Sequence, residues 1–168
     1  MLILATLILF PALMVFAAFS DLFTMTISNR LSIALAASFF VLAIALGVPA
    51  KDIGLHAACG VSVLALTFFF FSRGWIGGGD AKLAAATALW LGFDHLADYG
   101  LCAALLGGGL TLLVLVMRRW PLPSFLMNQA WIARIHDRDN GVPYGIALAV
   151  AGLILYPDTR IWLSAAGY

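Results

Sequence analysis

From Met1 to Phe19 the chain carries no charged side chain, and five further apolar runs follow: Leu31–Gly47, Ile53–Phe71, Ala81–Phe93, Tyr99–Met117 and Val142–Tyr156. A helix that crosses a bilayer needs about 20 predominantly apolar residues. Six such runs in 168 residues leave room only for short connections and one longer loop, Arg118–Gly141. Charged residues make up 10% of the chain and hydrophobic ones 64%, against about 25% and about 45–50% in soluble domains. So few charges cannot cover a water-facing surface, which excludes a soluble globular domain, a disordered chain and a nucleic-acid binder. The predicted fold is all-α: a polytopic membrane protein with six transmembrane helices, one domain over residues 1–168, with the lipid bilayer as its first partner. The sixth run is open to continuation through Ile161–Leu163, past Pro157. The first run is read as a span and not as a cleaved signal, because residues 1–9 hold no Lys or Arg and the run is long for a signal core.

Alternate connections lie on opposite sides of the membrane. One set holds Arg30, Arg73, Lys82, Arg118, Arg119, Arg134 and Arg138; the other holds only Lys51 and Arg160. The excess of basic residues marks the first set as cytoplasmic and places both termini outside. Within the long loop, Leu122, Phe125, Leu126, Trp131, Ile132 and Ile135 alternate with polar residues. This pattern fits a segment lying in the membrane interface, and equally a loop folded back onto helix ends. The run Arg134-Ile135-His136-Asp137-Arg138-Asp139 is expected to be a solvated surface with local charge pairing.

Ionisable residues beside apolar runs are the functional candidates in such a chain. All eight carboxylates are aspartates. Asp52, Asp94, Asp98 and Asp158 fall on the outer side. Asp21 directly follows the first run and Asp80 ends the triplet Gly77-Gly78-Gly79. Both belong to the cytoplasmic set, so the topology allows them to face each other. Taken singly, Asp80 is equally a helix cap and Asp21 a helix-end aspartate at the headgroups. Taken together they form a candidate dyad. Two close carboxylates share one proton, so one can activate water while the other protonates a carbonyl oxygen. Such chemistry needs no metal and no cofactor. The three glycines permit a sharp turn and a close backbone approach. Lys82 would tune an aspartate, orient substrate or simply snorkel. Cys59 and Cys102 lack a CxxC spacing and read as packing residues. His56 and Cys59 share a helix face, but no further ligand is placed to join them, and a hydrogen-bonded histidine near the outer face is the expectation.

At these residues the chain resembles the type IV prepilin peptidases, intramembrane aspartyl proteases of the GxGD type. Asp21 with Ile27 and Asn29 fits the family's first-aspartate motif; Gly77-Gly78-Gly79-Asp80-Ala81-Lys82 fits G-x-G-D-x-K; Val142-Pro143-Tyr144-Gly145 resembles the P-Y-G stretch that opens the family's last helix. The resemblance implies catalytic Asp21 and Asp80, with Asn29, Gly77, Gly79 and Lys82 as substrate or supporting groups. It also implies a multi-pass protein of the cell inner membrane that cleaves prepilin leaders at the cytoplasmic face, with pilus assembly machinery as a further partner. Larger members carry a zinc-binding cytoplasmic insert after the first span, and this chain does not. It is similar to the short branch that serves tight-adherence (Flp) pili, the CpaA/TadV type. An archaeal-type preflagellin peptidase shares the same chemistry. The readings from other classes are a proton-coupled membrane transporter, which would place acids near mid-span, and a non-enzymatic secretion subunit, which would not need both aspartates.

Overall fold

The structure is a computed structural model that describes residues 2–166, and it contains helices and no strands among them. The expected positions of the chain ends fall on Met1 and Gly167–Tyr168, outside the described residues. Nine α-helices follow in order: α1 (Leu2–Thr24), α2 (Asn29–Ala45), α3 (Ala50–Ser72), α4 (Gly78–Leu91), α5 (Leu96–Met117), α6 (Ser124–Met127), α7 (Ala130–His136), α8 (Gly145–Leu155) and α9 (Arg160–Ala166). Three are long and apolar enough to cross a membrane: α1, α3, and α5 with the short turn before it. α2 and α8 are apolar but shorter, and α4 has 14 residues, so six crossings do not follow from helix length.

α4 is the axis of the bundle. It packs against α2, α3 and α8, and every residue from Leu83 to Leu91 is buried. Five of its buried residues are alanines. Small side chains let helices approach closely where lipid supplies no hydrophobic drive between them. At the far end of α4, Trp90 donates from Nε1 to the Leu35 carbonyl at 2.9 Å, and Tyr156 donates from Oη to the Thr6 carbonyl at 2.6 Å. Phe10 packs against both rings, with centroids 5.0 Å from Trp90 and 4.4 Å from Tyr156, which themselves meet edge-on at 5.7 Å. This aromatic knot ties α1, α2, α4 and the end of α8 together. The outward helix faces present Phe16, Ile33, Val41, Val61, Leu105 and Leu112, all well exposed, as a lipid-facing surface requires.

The last apolar run does not continue as one helix. A 3-10 turn at Tyr156–Asp158 contains Pro157 and separates α8 from α9, because proline cannot supply the N–H that a helix interior needs. His56 forms the expected hydrogen bond, with Nδ1 2.9 Å from the Leu89 carbonyl, and its ring stacks on Phe39. Cys59 is fully buried and Cys102 half-buried.

Part of the long connection folds back onto helix ends. Trp120 and Phe125 are exposed, whereas Ile135 is buried and Trp131 meets Phe23 edge-on at 5.6 Å. The expected charge pairing in this stretch does not occur. Among the described residues the one salt bridge joins Arg160 to Asp94 at the other end of the bundle. Asp137 instead accepts from the Asn140 side-chain amide and the Asp139 N–H, while Arg134 and Arg138 donate to the carbonyls of Phe23 and Arg118. Backbone acceptors at helix ends lie within reach and lack helical partners, so they take the guanidinium groups.

Candidate active site

Five helix ends meet where α1, α3 and α5 finish and α4 and α8 begin. Asp21 does not follow the first helix, as the apolar run suggested, but lies inside it: α1 continues to Thr24, and the Met25 N–H closes its last turn on the Asp21 carbonyl at 2.8 Å. Asp21 is buried, 4% exposed. Met25 then adopts φ 51°, the only positive φ outside glycine among the described residues, which is an uncommon and costly conformation for such a side chain. Hydroxyl groups hold the reversal: Ser20 Oγ donates to the Thr26 carbonyl at 2.8 Å, Thr24 Oγ1 donates to the Ser20 carbonyl at 2.6 Å, and the Thr24 and Thr26 hydroxyls lie 2.7 Å apart. The reversal turns Ile27 back into the bundle, where it is buried. Ser28 then caps α2, accepting from the Leu31 N–H at 3.3 Å.

The glycine triplet is not a sharp turn. The left-handed residue is Gly74, at φ 71°. Gly77 is extended and caps α4, and Gly78 and Gly79 form its first turn. Asp80 is therefore the third residue of α4 and not its cap. What the triplet provides is close approach: a Cβ on Gly79 would stand 3.1 Å from Ile27 Cβ and 3.3 Å from its N, and one on Gly77 would stand 2.9 Å from Asp80 Oδ2.

α8 completes the site. The Gly145 N–H donates to Asp21 Oδ2 at 2.7 Å. A Cβ on Gly145 would stand 2.6 Å from Ile27 Cδ1 and 2.8 Å from Asp21 Oδ2. Tyr144 is anchored through its hydroxyl to the Ala103 carbonyl at 3.2 Å, with its ring against Gly107. Asp21, Asp80, the Gly77–Gly79 backbone, Met25–Ile27 and Asn140–Pro143 line one cavity of about 500 Å³, within the usual range for ligand sites.

Arg118, which the sequence reading counted only for topology, holds the cavity rim. It is buried at the end of α5, 9% exposed. Its Nε donates to the Ile135 carbonyl at 2.7 Å, and Nη2 donates to the carbonyls of Asn140 and Gly141 at 3.1 and 2.9 Å. Three backbone dipoles take the place of a counter-ion. No local motif points to this role, since its partners lie 17–23 residues away.

The structure brings Asp21, Asp80, Gly77 and Gly79 into one cavity. Asn29 and Lys82 are joined to each other instead, Lys82 Nζ donating to Asn29 Oδ1 at 2.6 Å. They line a separate groove between α2, α3 and α4. Helical periodicity explains the split: residues two apart on one helix point about 200° apart, so Asp80 and Lys82 leave α4 in nearly opposite directions.

Residues 8–114 match the model of the type IV leader peptidase family. The chain belongs to that family. The match runs from α1 into α5, and thus covers both cavity aspartates, the glycine triplet and Lys82. No curated protein and no solved structure shows a significant match. A leader peptidase assignment also agrees with the apolar helices of a membrane protein. Arg118, Tyr144 and Gly145 lie beyond the matched segment, so only the tertiary structure joins them to this peptidase's cavity.

Proposed function

We propose that the chain is a membrane aspartyl endopeptidase that removes the leader of type IV prepilins of the Flp class. The observation that carries the reading is the shared cavity: Asp21 and Asp80, 59 positions apart, line it together, and the Gly145 N–H holds one oxygen of Asp21. Asp21, occupied by that donor, is the carboxylate that takes a proton from water. Asp80 is the acid that protonates the scissile carbonyl oxygen. Water adds to the carbonyl carbon to give a tetrahedral diol. Asp21 then returns its proton to the leaving nitrogen, the C–N bond breaks, and Asp80 recovers a proton as the carboxyl product forms. Gly77 and Gly79 leave the α4 entrance open to an extended peptide. Extension is needed because a helical peptide bond is shielded by its own hydrogen bonds.

In this reading α1–α5 and α8 all cross the inner membrane. The catalytic end is cytoplasmic because Arg30, Arg73, Lys82, Arg118, Arg119, Arg134 and Arg138 cluster there. The short α4 is about 21 Å long at 1.5 Å per residue, so its first turn lies below the headgroups, with Asp80 inside a protein-lined recess. Both acids at one end of the bundle favour hydrolysis at the membrane face over proton transport through mid-span groups.

The test is co-expression with candidate Flp-type prepilins. Wild type should shorten one of them by its leader, while Asp21→Asn and Asp80→Asn insert normally and leave it uncut. Cleavage at near-wild-type rate by either purified variant would remove the two-acid mechanism.

A further inference from the structure

The second groove lies on the face of α4 turned away from the aspartates. Lys82, Ala85, Ala86 and Leu89 form its floor, a stripe at i, i+3, i+4 and i+7, and α2 and α3 form its walls. Its volume is about 430 Å³. Along α2 it extends from Asn29 to Phe40, about 16 Å at 1.5 Å per residue. That is close to one leaflet, half of the roughly 30 Å hydrocarbon core. An apolar groove of that length suits a lipid hydrocarbon chain.

Its polar groups are grouped at one end. Lys82 is exposed there, bonded to Asn29, and the one salt bridge among the described residues lies elsewhere, so its charge has no carboxylate partner. One turn further in, Ser32 is 8% exposed and its hydroxyl has no hydrogen-bond partner. Such an orphaned buried hydroxyl is costly unless something supplies an acceptor. Beyond Ser32 the lining is apolar: Ala36 and Phe40 on one wall, Val61 and Leu64 on the other.

We propose that this groove is a specific site for an anionic phospholipid of the leaflet on the catalytic side. The phosphate sits on Lys82, the Ser32 hydroxyl turns outward from its buried position to donate to an ester carbonyl, and one acyl chain follows the apolar channel. The sequence of groups along the groove (cation, hydroxyl donor, apolar trough) matches the phosphate, ester and chain of such a lipid. The site is separate from the peptidase cavity and stands independently of the proposed cleavage reaction.

The test is native mass spectrometry of the full chain in neutral detergent, titrated with phosphatidylglycerol or phosphatidylcholine of equal chain length. Wild type should retain the anionic lipid about ten-fold better. Lys82→Met should bring the two lipids to parity, and Ala36→Trp, which fills the trough, should abolish retention of both. Equal retention of both lipids by wild type, or an undiminished preference in Lys82→Met, would overturn the proposal whether or not Ala36→Trp folds. So would a photo-crosslinker at Ile33, on the groove wall, that captures a co-expressed prepilin in place of lipid.

Discussion

Gly145 and Asp21, 124 positions apart, meet through a 2.7 Å hydrogen bond, with Ile27 filling the space beside them. The contact explains why a residue without a side chain stands at the start of α8: any Cβ there would overlap both the carboxylate and Ile27. Gly145→Ala should displace Asp21 and lower kcat at least ten-fold, with little change in membrane insertion. A purified variant with wild-type kcat would show that Asp21 needs no such support.

If Asp21 and Asp80 share one proton, as the proposed mechanism requires, activity depends on pH in two directions. Cleavage should rise and then fall with pH, failing at low pH when Asp21 also holds a proton and at high pH when Asp80 has lost its own. A pH–rate profile of the wild type in proteoliposomes checks this. A profile that keeps rising at high pH would point to a single basic group.

Gly79→Val tests the entrance to the cavity. A branched side chain there meets Ile27, whose Cβ and N would lie 3.1 and 3.3 Å from the new Cβ. Processing should be lost while the protein still inserts, since one added side chain at a helix end changes little apolar area. Undiminished processing would confine the triplet's role to packing.

Arg118→Met removes three hydrogen bonds to the rim of the cavity. Leaving those carbonyls unsatisfied should cost about 2 kcal/mol of stability. In the proposed mechanism, where Asn140 and Gly141 border the substrate's cavity, it should also raise KM more than it lowers kcat, because the carboxylates stay in place. Arg118→Lys should recover only part of the effect, as an ammonium cannot fork between Ile135 and Gly141. A variant with unchanged KM would make Arg118 a purely structural residue.

Orientation is checked by labelling. Asn128→Cys, in the connection between α6 and α7, should be inaccessible to a membrane-impermeant thiol reagent in intact cells and react once the membrane is opened. Labelling from outside would invert the topology and place the cavity on the other face.

Helical class, the approximate positions of the apolar helices and both cavity aspartates were legible in the sequence. Each rests on local information: long apolar runs, and a carboxylate at the edge of a run or beside glycines. Helix ends were less legible. α1 carries Asp21 inside it because Leu22 and Phe23 extend the apolar face past the charge, and α4 begins within the glycine triplet because backbone N–H groups there are free to start a helix. Tertiary packing alone decided the rest. Gly145 reaches Asp21, Arg118 reaches the carbonyls of Asn140 and Gly141, and Lys82 departs from Asp80 to the opposite face of α4. These relationships depend on the rotation of each helix and on where distant ends converge. Hydropathy order records which stretches form apolar helices, but rotation and convergence arise from side-chain volumes across every interface at once, and no single segment encodes them.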